Sequence, residues 1–263
     1  MNRQPLDDPR RRLAIVVVPE LEYDDLRITT AGERLLRDDS VAIVTWPLES
    51  TQLSSLPVLD RLDGDGLLEP GAVLLQSPYD PDRYLTPTAA TPSIARAKLL
   101  ATVELCRRLG ASHVRVEEIT VTSHGESAKW TAEGAGQLVG AQTGSARSEL
   151  GTFVQRTQLS DTFPGGTPDI GAATELLTGA RLTSDDNLTA LVTARTGSNQ
   201  ILARHFHVTT SHESARVRQR LASIEAVPLR ATGGREGFVA HASVYDFQFE
   251  VTFPVATPEP AGL

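Results

Sequence analysis

Residues 72–121 constrain the fold more than any other stretch of this chain. They run through an apolar segment, a Pro- and Asp-rich loop, a long amphipathic helix and an alternating strand in unbroken order. The run Ala72-Val-Leu-Leu-Gln76 is too short for a helix and apolar at successive positions, which predicts a strand buried on both faces. Downstream, Leu99, Val103, Cys106 and Leu109 fall on one stripe at helical spacing, with Lys98, Arg107 and Arg108 assigned elsewhere on the surface. The spacing predicts a helix over 93–109, with Thr91 as N-cap, Pro92 in the first helical position and Gly110 as the C-terminal stop. Val114, Val116, Ile119 and Val121 then predict a strand, and the change of parity at Glu117-Glu118 predicts a bulge within it.

The apolar, β-branched runs Leu13–Val18 and Val41–Trp46 flank a short helix expected around Ala31–Arg37, which gives the first half an α/β-like alternation. The second half reads differently. Residues 126–162 carry many small side chains and few large apolar ones, consistent with a long, weakly specified hairpin. Two helices follow, the first capped by Thr167 and the second by Ser184. Gln200–Thr209 reads as a strand with Leu202, Phe206 and Val208 on one face and His205 and His207 on the other, and Ser211 caps a helix bearing Val217, Leu221 and Ile224. Tyr245, Phe247, Phe249, Val251 and Phe253 alternate with polar residues, the pattern of a one-sided antiparallel strand.

With 263 residues, 40% of them hydrophobic, the chain can bury a substantial core. The expectation is an α+β protein: a mixed sheet, with an α/β-like first half followed by long, mainly antiparallel strands and an inserted helical pair. It is read as a single domain over 11–255, with flexible tails at 1–10 and 256–263. A formal net charge of −8 opposes a nucleic-acid binder, which needs clustered cations to displace phosphate counterions. The single cysteine, Cys106, excludes an internal disulfide and points to the cytoplasm. No run is long enough to span a bilayer as a helix, so a membrane partner is disfavoured.

The loop Ser77–Tyr84 is the predicted binding surface, with Tyr79, Asp80, Asp82, Arg83 and Tyr84 as its residues. It follows a buried strand, where ligands collect in open α/β sheets, and it offers two carboxylates, a guanidinium and two aromatic rings. The competing reading is ordinary turn chemistry, in which Asp bonds local backbone and Pro fixes φ. His205 and His207 share a strand face, and His241 could join them at a metal, but an alternating strand places polar residues on its wet side in any case. No metal ligand set is assigned and no cofactor is expected. The glycines of 134–140 lack the spacing and flanking elements of a dinucleotide loop, and Asp63-Gly-Asp-Gly66 lacks the remaining positions of a calcium loop. Ser123-His-Gly-Glu-Ser127 reads as a turn between strands, and Cys106 as a buried thiol.

The functional expectation is a non-catalytic cytoplasmic binding or self-assembling protein that recognises a protein partner or a copy of itself. Two readings stand beside it. One is a hydrolase or transferase acting on a small anionic substrate at the 77–84 loop; the other is a β-hairpin pore former that uses residues 126–162.

Overall fold

The computed structural model describes residues 13–48, 57–132, 137–140, 144–197, 200–227 and 242–254. The expected tails, most of the glycine-rich loop and His241 lie outside them. The chain has an α+β fold with two sheets, one mixed and one antiparallel. It divides into two compact units, one within Met1–Ser93 and His212–Ala242, the other within Ile94–Ser211 and Ser243–Leu263.

In the first unit, β1 (Ala14–Pro19) leads through α1 (Glu20–Leu26) and α2 (Thr30–Arg37) to β2 (Val41–Trp46). The Thr29 side chain caps α2 by accepting from Gly32 N at 3.1 Å. After α3 (Pro57–Gly64) come β3 (Val73–Gln76) and the two-residue β4 (Tyr84–Leu85), giving the order β2-β1-β3-β4. Ala14 through Val18 are wholly buried, as an uninterrupted apolar strand must be to leave water on both faces. Ile15 and Val17 pack with Val44, Leu59, Leu62, Leu68 and Leu74 in one apolar cluster.

β1 and β2 are parallel, but β3 runs antiparallel to β1. The parallel-sheet argument for the 77–84 loop therefore fails. The carboxyl ends of the parallel pair lie at Pro19 and Trp46, whereas β3 exits at the opposite end of the sheet, where it turns directly into β4. A four-residue strand reveals its burial by composition but not its direction, which its sheet partners impose.

In the second unit, α4 (Pro87–Arg108), most of which belongs here, starts six residues earlier than predicted. Pro87 occupies the first turn, where a missing N–H is tolerated, and Pro92 sits inside the helix with loss of a single backbone bond. Lys98 does not lie off the apolar stripe. It is 3% exposed, between Ala95, Leu99 and Thr102, so the stripe is wider than the four residues that defined it.

β5 (His113–Ser123) and β6 (Glu126–Thr131) form a hairpin through His124-Gly125, both at positive φ, and β7 (Gln137–Gly140) pairs with β6. The predicted long hairpin over 126–162 is interrupted. After β7 the chain forms α5 (Ser145–Gln155) and then β8 (Ser160–Thr162), which pairs with the start of β5. Ala146, Leu150 and Phe153, four and three residues apart, form the buried face of α5, a helical period hidden among small residues.

The two inserted helices are α6 (Ile170–Gly179) and α7 (Asp186–Arg195). Their caps are Asp169 and Asp185 rather than Thr167 and Ser184. Asp169 accepts from Ala172 N at 2.9 Å, and Asp185 from Asn187 N and Leu188 N at 3.2 and 3.4 Å. Carboxylates gain from the positive helix end as well as from the hydrogen bond, so Asp169 takes the cap two positions after Thr167 and Asp185 one position after Ser184.

β9 (Ala203–Thr209) and β10 (Val244–Thr252) complete the order β7-β6-β5-β10-β9; α8 (Ser211–Glu225) follows β9 in the chain and, beyond its first residue, belongs to the first unit. The register of β10 on β5 shifts where Gln248 faces Glu118 and Phe249 faces Val116, leaving Glu117 as the extra residue of the predicted bulge. Inward-facing rings form a ladder along this sheet. Phe206 stacks on Phe249 at 5.2 Å, Phe249 meets Phe247 at 6.2 Å, and Phe247 meets Tyr245 at 6.3 Å.

Candidate functional site

The predicted site is the tip of the β3–β4 hairpin, and its backbone is tied to itself. Ser77 N donates to Arg83 O at 2.8 Å and Arg83 N to Asp80 O at 3.1 Å. The Asp80 carboxylate accepts from Asp82 N at 3.1 Å, the local turn chemistry weighed against a functional role above. Gln76 reaches across from β3 and donates its amide to Pro81 O at 2.6 Å.

The five predicted residues take different places in this loop. Tyr84 is 4% exposed and packs in the apolar cluster of the first unit. Tyr79 is half-buried and donates its hydroxyl to Oε1 of Glu213 at 2.9 Å, which anchors the loop to α8 within the same unit. Asp80, Asp82 and Arg83 are exposed. The rings therefore hold the loop in place, and the charged side chains are the groups presented to solvent. Glu213 carries no sequence signal for this role, since its partner is 134 residues away.

The histidines lie on the solvated face of the antiparallel sheet. Nδ1 of His205 is 3.0 Å from Oε2 of Glu117, and Nε2 of His207 is 3.4 Å from Oδ1 of Asp246. Each imidazole thus has its own carboxylate, that of His205 on β5 across the intervening β10 and that of His207 on the adjacent β10, and the two point to separate partners. Among the described residues, no group of three or more His, Cys, Asp or Glu side chains is placed to hold a metal ion. On the same face Lys129 pairs with Glu118 at 2.5 Å. Such exposed cross-strand pairs contribute at most about 1 kcal/mol each.

Two buried polar arrangements escaped the sequence reading. Lys98 Nζ donates to Thr209 O at 2.6 Å and lies 3.7 Å from Oδ2 of Asp185, with both side chains almost fully covered. The second centres on Glu149 of α5, whose Oε1 accepts from the Tyr245 hydroxyl at 2.5 Å and whose Oε2 accepts from Ser243 at 2.7 Å. Ser243 in turn lies 3.0 Å from Ser123, the first residue of the Ser-His-Gly-Glu-Ser string. Burial, together with the adjacent Glu149 charge, pushes the Tyr245 hydroxyl above the ordinary tyrosine range and keeps it a donor. Both charges were legible in principle. Lys98 and Glu149 each sit at helical spacing from apolar neighbours, and a charge within an apolar stripe signals a buried partner.

Cys106 is fully buried, and desolvation pushes its thiol up to about 12, which makes it inert as a nucleophile near neutral pH. Among the described residues, no helix is long and apolar enough to cross a membrane. Compared with known proteins, the chain matches no family model, no curated sequence and no solved structure.

Proposed function

We propose that this chain is a binding protein that recognises another protein chain, or a second copy of itself, through the tip of the β3–β4 hairpin. The observation that carries this reading is the combination of a self-bonded loop backbone with three exposed charged side chains, Asp80, Asp82 and Arg83. A loop fixed before contact loses little conformational entropy on binding, so charge complementarity at its tip is expressed as affinity and orientation. The anchoring of Tyr79 to Glu213 serves the same end, by preventing the tip from swinging on its two-residue strand.

A photo-crosslinking residue introduced at Asp82 tests the reading, with the same residue at Asp63, exposed in the last turn of α3, as the control. Illumination in the native host extract and with purified protein is expected to give a discrete adduct at position 82 and none at position 63. Reversing the two remaining charges of the tip, Asp80→Lys with Arg83→Glu, is expected to suppress that adduct. Adducts of equal yield at both positions, or an adduct insensitive to charge reversal, would remove the hairpin tip as the recognition surface.

A further inference from the structure

We propose that copies of this chain associate through two helix faces, the outward stripe of α1 on one copy seating against the outward stripe of α4 on another. On its inner side α1 buries Leu26 and half-buries Glu22 and Tyr23. The outer side carries Leu21, Asp24, Asp25 and Ile28, spaced three, four and seven residues from the first and all exposed. The chain keeps turning past the helix end, where Arg27 N donates to Asp24 O at 3.1 Å and Ile28 N to Asp25 O at 3.2 Å, so Ile28 stays on that side. Leu21 is 86% and Ile28 82% exposed, the highest values of any large apolar side chain among the described residues. Apolar side chains scattered singly over a surface are ordinary, but this pair brackets two carboxylates on one helical stripe.

Two α1 stripes set together would bring four carboxylates against one another, so the complement has to be basic, and α4 carries such a stripe. Arg96, Leu100, Val103 and Arg107 follow at helical spacing, the first two and the last exposed and Val103 half-buried. Leu100, at 53%, is the next most exposed large apolar side chain after the α1 pair. Glu104 holds Arg107 through two hydrogen bonds, at 2.6 and 2.7 Å, whereas among the described residues no side chain pairs with Arg96. The order is therefore apolar, acidic, apolar on α1 and basic, apolar, basic on α4. At a rise of about 1.5 Å per residue, the α1 carboxylates lie about 5 Å along the axis from Leu21 or Ile28, and Arg96 lies about 6 Å from Leu100. Seating either α1 apolar side chain on Leu100 thus brings the carboxylates to Arg96. Two short helical faces cover less than the roughly 1,200 Å² of stable complexes, so the contact is weak and sensitive to salt. The hairpin tip takes no part in it.

Sedimentation velocity on the full-length chain tests this. The wild type is expected to shift from monomer to larger species as its concentration rises from about 1 to 500 µM, and to dissociate again in high salt. Asp24→Lys with Asp25→Lys, and separately Arg96→Glu, are each expected to weaken association at least about tenfold. Mixing the two variants is expected to restore it, because each reversed stripe then meets its complement on the other variant. Leu21→Ser with Ile28→Ser removes the apolar contacts without changing charge and is expected to weaken association by a similar factor. Asp80→Lys with Arg83→Glu, at the hairpin tip, is expected to leave it unchanged. A wild type that stays monomeric over the whole range would overturn the proposal, as would a mixture no more associated than its components. Association lost on reversing the hairpin-tip charges would overturn it too, by assigning the contact to the tip.

Discussion

Replacing Gly110 by alanine separates two costs that are usually measured together. Gly110 follows α4 at φ +81°, where its N–H bonds Arg107 O at 3.0 Å and closes the helix. A non-glycine residue held in that left-handed region costs about 1–2 kcal/mol. A Cβ there would also stand 2.2 Å from the backbone oxygen of Gly166, an overlap that no side-chain rotation relieves. Forcing that segment away adds the usual overpacking cost of about 1–3 kcal/mol, for a total of about 2–5 kcal/mol. Gly125, in the β5–β6 turn of the same unit, has a similar φ of +77°, but a Cβ added to it meets nothing within 4 Å. Gly125→Ala should therefore show the conformational cost alone, about 1–2 kcal/mol. Urea titration followed by the fluorescence of Trp130 reads both, in a Trp46→Phe background that leaves it the single tryptophan. The expected difference between the variants is about 1–3 kcal/mol at unchanged m. Equal destabilisation would refute the steric half of the argument and leave only the backbone term.

Two further outcomes follow from buried groups. Cys106 keeps its proton up to about 12 in the folded protein, against 9.0 for an unperturbed thiol. Between those values the unfolded chain ionises first, so the thiol's contribution to stability falls as pH rises from about 9 towards 12, and Cys106→Ser should flatten that decline in alkaline melts. The same thiol should resist thiol reagents at neutral pH until denaturant is added. Lys98→Ala should destabilise by about 2–4 kcal/mol in thermal melts, because it leaves a covered carboxylate facing an apolar gap. Asp185 keeps its two N-cap donors, which holds the cost below that of a fully stranded charge; a change under about 0.5 kcal/mol would show that the pair is solvated.

Periodicity within a few residues determined much of this fold. The alternation of Tyr245 to Phe253 and the parity change at Glu117 specified a one-sided strand and its bulge, because side-chain direction in a strand depends only on position along it. The apolar runs at 14–18 and 41–46 likewise announced buried strands, and the inserted helical pair was legible from its apolar spacing, although its caps fell one or two residues later than read. Beyond that reach, the tertiary structure decided. Whether β3 ran parallel or antiparallel to β1 depended on a partner with no trace in residues 72–76, and that choice moved the 77–84 loop away from the ligand-binding end of the parallel strands and made it a hairpin tip. Lys98 read as a surface charge, and Glu149 carried no reading at all, until Asp185 and Tyr245, 87 and 96 residues along the chain, were folded onto them. The energy of a strand pair or a buried ion depends on groups that only folding brings together, whereas the energy of a helix cap or a pleat depends on neighbours the chain already holds side by side.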